Sequence, residues 1–178
     1  MATDYTKLPR AIIVDLINET NAGAGMTEAL LDFGLPTVPT GTPARNTELT
    51  VTAKAGSGYS GSVTLKYNRV DMAEIPGALN IEYTKGDAEN ISDLIPEINA
   101  RYGINLQAED YVDAPLPNFT GTPNEKIDFE IVAAADSLVW RASLILKLAS
   151  EDIPLSSVIT NDTLNGLVYV APTEPVTP

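Results

Sequence analysis

The sequence contains no cysteine and no histidine. The first absence removes disulfides and thiolate metal sites. The second removes His-dependent triads, imidazole general bases and histidine metal ligands together. Basic residues are scarce: 11 lysines and arginines stand against 24 acids, for a formal net charge of −13. They are scattered singly, without the basic patch that a phosphate backbone needs, and the negative field repels nucleic acid and anionic membranes alike. No apolar run approaches the ~20 residues of a membrane span. Residues 1–10 are polar and lack the apolar stretch of a secretory signal, which predicts synthesis in the cytosol.

Aromatics are also few, at 6 % of the chain, whereas apolar residues reach 44 % and are mostly Val, Ile, Leu and Ala. Together with abundant Thr, that mixture favours β-structure. The length, 178 residues, suits one large domain or two small ones. The chain also repeats itself. Thr40-Gly41-Thr42-Pro43 returns as Thr120-Gly121-Thr122-Pro123, each copy following a Leu-Pro pair, Leu35-Pro36 and Leu116-Pro117. Asp15-Leu16-Ile17 is matched by Asp93-Leu94-Ile95, and Ile75-Pro76 by Ile153-Pro154. Collinear matches at a nearly constant offset of about 80 residues predict an internal duplication. The expected fold is α+β: two tandem modules, residues 1–86 and 87–170, each a helix followed by antiparallel hairpin strands. Proline-rich extended segments link them, a proline-rich tail spans residues 171–178, and the modules pack as a pseudo-twofold pair.

In the first half, Thr6 is the predicted cap of a helix with Pro9 in its first turn and Leu8, Ile12, Ile13, Leu16 and Ile17 on one stripe. Asn18 and Asn21 are expected to cap its end. Residues 26–33 predict a helical turn or an edge strand, and Pro36, Pro39 and Pro43 an extended surface path through residues 35–47. Clean alternation predicts strands at residues 47–54 and 62–67. Between them Gly56-Ser57-Gly58-Tyr59-Ser60-Gly61 matches G-x-G-x-x-G, but a dinucleotide cradle needs a helix after the glycines, and residues 62–67 are strand-like. The loop is therefore a hairpin connection. Residues 75–77 predict a turn, and Leu79, Ile81 and Tyr83 another strand.

In the second half, Ile91, Leu94, Ile95 and Ile98 mark an amphipathic helix, with Ser92 its expected cap and Gly103 its stop. Residues 115–123 form a second proline-rich segment. Ile127, Phe129 and Ile131, then Leu144, Leu146 and Leu148, define two half-buried strands. Val132 and Ile145 fall on the outward face, where a covering helix is expected. Residues 157–170 predict a terminal hairpin.

Carboxylates are the remaining catalytic material. Glu109, Asp110 and Asp113 cluster, as do Glu151 and Asp152, and the expectation for both groups is a solvated acidic turn. Asn161-x-Thr163-x-Asn165-Gly166 begins like a calcium loop, but Pro172 stands where the bidentate Glu belongs. Trp140 and Tyr67 are expected to anchor a core or an interface. No catalytic residue, metal or cofactor is predicted.

Asp15-Leu16-Ile17-Asn18, Arg45-Asn46-Thr47 and the run of residues 56–71 (GSGYSGSVTLKYNRVD) resemble virion structural proteins of large contractile-tailed bacteriophages, most closely over residues 9–72. The resemblance implies a non-enzymatic component of the head, neck or tail, made in the host cytoplasm and present in many copies. Its expected partners are other virion proteins and copies of itself, with no nucleic acid and no membrane. It carries over no active site and singles out Arg45, Asn46 and the loop of Gly56, Gly58, Tyr59 and Gly61. Trp140, Pro172 and Pro175 are the further candidate contacts read from the sequence. A carbohydrate- or host-surface-binding module, and an assembly factor absent from the finished particle, are the alternatives.

Overall fold

The computed structural model describes residues 3–41, 43–75, 82–121 and 125–150. The expected terminal hairpin, the proline tail, most of the turn at 75–77 and the end of the second TGTP lie outside the described residues. Helix α1 spans Pro9–Thr20 and opens with its proline, whose missing N–H is an orphan at that position anyway. Thr6 does not cap it. The residue before the helix is Leu8, and the Thr6 hydroxyl and N–H both donate to Asp4 Oδ1, at 2.6 and 3.1 Å. Ile12, Ile13 and Val14 are buried. The helix exit is set by asparagines, as expected. The Asn21 side-chain amide and N–H donate to the Ile17 carbonyl at 2.8 and 2.9 Å, while Asn18 clamps both backbone polar groups of Met26, at 2.8 Å each.

A 3-10 turn at Glu28–Leu30 then leads into a strand. Strands β1 (Leu31–Thr37), β2 (Thr47–Ala53) and β3 (Ser62–Tyr67) form an antiparallel sheet in that order. The extended path predicted from residue 35 therefore opens inside β1, to which Leu35, Pro36 and Thr37 belong, and Pro36 is buried rather than on the surface. An irregularity between Phe33 and Pro36 admits the proline, which an edge strand tolerates. Gly34 is needed there, since a Cβ would lie 2.9 Å from the Thr50 carbonyl oxygen. The loop from β2 to β3 joins strand to strand, with Gly56, Gly58 and Gly61 at φ of 79°, 83° and 84°.

The chain then crosses to the second half. Strand β4 (Val70–Asp71) leads into a 3-10 turn at Met72–Glu74, and β5 (Glu82–Thr84) follows. Helix α2 spans Ile91–Tyr102. Its cap is Asn90 rather than Ser92: the Asp93 carboxylate reaches back to accept from the N–H groups of Asn90 and Glu89, each at 2.9 Å. Asp113 instead takes the Ser92 N–H and hydroxyl, also at 2.9 Å. The earlier start places Pro96 in the helix interior, on its exposed face, where one backbone hydrogen bond is lost to solvent. Gly103 ends the helix in the left-handed region, as the sequence predicts.

Strands β6 (Lys126–Val132), β7 (Trp140–Arg141) and β8 (Ser143–Ala149) complete the described fold, which is α+β. β6 pairs antiparallel with β8, and β5 lies parallel along the other edge of β8. β4 pairs in parallel with β7. A single core joins Leu49 and Val51 of the first sheet with Tyr83, Ile98, Phe129, Ile131 and Leu148 of the second half. No described helix covers Val132 and Ile145, which stay 41 % and 64 % exposed, because the core lies on the opposite face of that sheet. Among the described residues the contact between the halves is not a twofold one either. Ser137, Leu138, Val139 and Trp140 in the second hairpin loop are buried beside β4, whereas most of the first hairpin loop, including Gly56, Gly58, Tyr59 and Gly61, is exposed.

Candidate functional site

Asn46 faces inward. Its side chain donates to the Arg69 carbonyl at 2.9 Å and accepts from the Arg69 N–H at 2.8 Å, while its own N–H is held by Asn68 at 2.9 Å. Arg69 then reaches into the second half. Its Nη1 donates to the carbonyls of Ser137 and Ala135, at 3.0 and 3.2 Å, and its Nε to the Thr47 hydroxyl at 3.2 Å. The Tyr67 hydroxyl donates to the Leu138 carbonyl at 2.6 Å. Burial pushes the Tyr67 phenol up to about 12, with the Arg69 charge acting in the opposite direction. These groups brace one half against the other.

The acidic cluster does not converge. Asp110 is fully buried; it accepts from the Ser137 hydroxyl at 2.6 Å and the Gln107 N–H at 3.0 Å, and Ser137 Oγ in turn accepts the Trp140 N–H at 3.1 Å. Burial raises the Asp110 carboxyl above its ordinary value, the bonds from Ser137 and Gln107 oppose the shift, and the charges of Glu109 and Asp136 add to it. Asp110 is thus an internal tie rather than the solvated turn expected. Asp113 is occupied by Ser92. Among the described residues no three metal-ligating side chains gather, and no helix is long and apolar enough to cross a membrane. Glu151 and Asp152 lie outside the described residues.

A groove of about 590 Å³ lies between α1 and β3. Ile13, Leu16, Ile17, Thr20 and Asn21 form its helical wall, and Thr64, Leu65, Lys66 and Tyr67 its strand wall. Arg45 stands at its rim, and Tyr5, tilted against Trp140 at 5.4 Å, closes one side. Its floor is apolar, and among the described residues only β2 pairs with β3. A groove beside a strand edge can admit an extended peptide.

Of the candidate contacts, Arg45 belongs to this groove and Asn46 to the brace. Gly56, Gly58, Tyr59 and Gly61 are exposed together at the far end of the hairpin, with Tyr59 52 % exposed. Trp140 is 3 % exposed and sits in the core. Pro172 and Pro175 lie outside the described residues. Sequence reasoning missed Arg69 and the groove. The signal available for the groove was the width of the α1 stripe, since Leu16 and Ile17 extend it beyond what one buried face needs.

No curated protein and no solved structure matches this chain. One family profile does, over residues 2–177, and the chain belongs to that family, described as a family of unknown function (DUF7941).

Proposed function

We propose that this protein is a non-enzymatic structural component of a bacteriophage particle, located in the head, neck or tail and built from two copies of one helix-plus-hairpin module. It is made in the host cytoplasm, incorporated into the virion in many copies, and held there by sheet edges, loops and extended arms against other virion proteins and copies of itself. The observation that carries this reading is the outer edge of β3, which no described strand pairs, beside an apolar groove. Sheet edges are ordinarily covered or blunted, and a protein present in many copies can cover one with a neighbour. The resemblance of residues 9–72 to virion structural proteins supports the particle.

The duplication is supported by register. Leu31 pairs with Ala53 in the first half, and Tyr111 bridges Ala133 in the second. Glu48 lies opposite Lys66, and Asp128 lies opposite Lys147. An acid and a lysine thus occupy corresponding rungs of both hairpins. A glycan-binding role would require paired exposed aromatics, and no second exposed aromatic accompanies Tyr59 among the described residues.

Immunogold electron microscopy on purified particles tests the proposal, with gold on capsid or tail as the expected result. Antigen confined to the lysate would favour the assembly-factor role instead. Deleting residues 171–178 should impair incorporation without unfolding the protein, and unchanged incorporation would remove the arm from the account.

A further inference from the structure

In the second half, the position equivalent to the groove is filled. β5 lies parallel along β8, with Glu82, Tyr83 and Thr84 opposite Lys147, Leu148 and Ala149. Tyr83 is fully buried there, edge-on to Phe129 at 6.4 Å, and Arg101 in the last turn of α2 lies 4.9 Å above its ring. The groove beside β3 is bounded in the same way by Thr20 and Asn21 at the end of α1. β8 and β3 correspond through Leu148 and Tyr67, because Ile127 faces Leu148 as Thr47 faces Tyr67. The first half therefore has a seat for a parallel strand and no described strand in it.

The strand that fills the second seat leaves the first hairpin and completes the other unit rather than its own. The chain beyond β8 carries a matching segment: Leu79-Asn80-Ile81-Glu82-Tyr83-Thr84 is echoed by Leu164-Asn165-Gly166-Leu167-Val168-Tyr169-Val170. The contact between the halves is also one-directional, with Trp140 buried against the first half and Tyr59 exposed. A contact that is not mutual leaves the unused surface of each copy free to meet the complementary surface of another.

We propose that residues 167–170 of a second copy occupy the groove between α1 and β3 as a parallel strand, with Tyr169 seated opposite Tyr67, Val168 opposite Lys66 and Val170 opposite Asn68. Copies then join head to tail, each donating a strand to the next. The proposal rests on the many-copy structural reading, and it names the edge, the donor and the register. The alternating Leu167 and Tyr169, with Val168 and Val170 between them, supply the β-branched and aromatic side chains that a strand at an apolar edge needs.

The chain has no cysteine, so engineered thiols report the pairing without background. K66C and V168C, made in separate full-length chains and mixed under oxidising conditions, should form a disulfide-linked heterodimer, because opposite residues on paired strands lie within disulfide reach. The K66C/V168C double variant should give a ladder of multimers that lengthens with protein concentration. Y169D in the V168C chain should lower the yield about tenfold, since an unpaired carboxylate cannot be buried where the ring sits. A peptide of residues 164–170 should compete with the cross-link. A double variant that yields only an intrachain, concentration-independent disulfide would overturn donation between copies in favour of a strand folded back on its own groove. No cross-link from chains whose circular dichroism matches wild type would overturn the seat itself. Because these measurements use purified protein in solution, their failure leaves membership of a particle untouched, and a particle-free result by immunogold leaves the strand exchange untouched.

Discussion

Two hairpins of this protein carry corresponding strands in different surroundings. Glu48 and Lys66 bridge at 3.1 Å across the first, Asp128 and Lys147 at 2.8 Å across the second. On the inward faces, Val51 is 3 % exposed and its counterpart Ile131 is fully buried. The last strands then diverge. Val63 of β3 is 56 % exposed, whereas Leu144 at the corresponding position of β8 is 1 % exposed. The loops diverge as well, one glycine-rich and exposed, the other folded inward around Ser137 and Trp140. The core-facing positions are apolar in both strands, Val63, Leu65 and Tyr67 against Leu144, Leu146 and Leu148, yet the first set is left far more open. β8 has the chain of β5 at its edge, and β3 has the groove.

One substitution made in both hairpins tests this contrast most directly. Leu146→Ala should destabilise by about 2–5 kcal/mol, because a fully packed leucine leaves a cavity. Leu65→Ala, on the half-buried counterpart, should cost only about 1 kcal/mol in dilute protein. Urea unfolding of both variants at several concentrations measures this. Equal losses would mean that β3 is already covered in solution. A Leu65→Ala cost that grows with concentration would show its face being buried by assembly.

Arg69 joins the two regions, and its loss should be the next largest effect. Arg69→Ala removes hydrogen bonds from a charged donor to Ser137, Ala135 and Thr47, worth about 1.5–3 kcal/mol together. Arg69→Lys should recover only part of this, because a single ammonium cannot span the same fork of acceptors. Full recovery in Lys would mean that charge alone, and not the planar donor geometry, holds the halves together.

How far these features could be read from the sequence depends on their range along the chain. Both helices and the strands β2, β3, β6 and β8 follow from periodicity, since Leu49 and Val51 or Leu94, Ile95 and Ile98 reveal their faces within a few residues. Gly103 marks its helix end for a local reason as well. What was not legible is long-range. The parallel pairing of Tyr83 with Leu148, and of Val70 with Trp140, joins segments whose own patterns name no partner. Asp110 looks like any surface acid until Ser137 arrives from a distant loop to accommodate it. Caps were misplaced by two residues where a neighbouring acid competed, Asp4 for Thr6 and Asp113 for Ser92. The groove is signalled only by the breadth of the α1 stripe, because no described strand lies along the outer edge of β3 to mark it.

The loops offer a smaller test. The first hairpin uses glycine at its positive-φ loop positions, whereas the second places Ala142 at φ 58° just before β8. A left-handed alanine costs roughly 1–2 kcal/mol, and glycine's extra unfolded-state entropy offsets about 0.5–1 of it. Ala142→Gly should therefore stabilise the protein by about 0.5–1 kcal/mol in thermal unfolding. A destabilised variant would indicate that the Ala142 methyl makes packing contacts outweighing the backbone strain.

The smallest expected effects come from the cross-strand pairs, and here the two hairpins should behave alike. Lys66→Ala and Lys147→Ala each remove one exposed ion pair of similar geometry, so each should lower the melting temperature slightly and by similar amounts. Both losses should fade in about 1 M salt, where screening reaches a few ångströms. The hydrogen bond to Asp128, and then its charge, hold the Lys147 ammonium above the ordinary 10.5. A raised lysine pKa means that the contribution is complete below 10.5 and is lost as pH rises through the folded value. Wild type and Lys147→Ala should thus differ by a constant margin across neutral pH and converge in strong alkali. A margin that instead persists in alkali or in high salt would assign the effect to packing of the lysine stem on β8, and the two hairpins would then differ in their outer faces as well as at their edges.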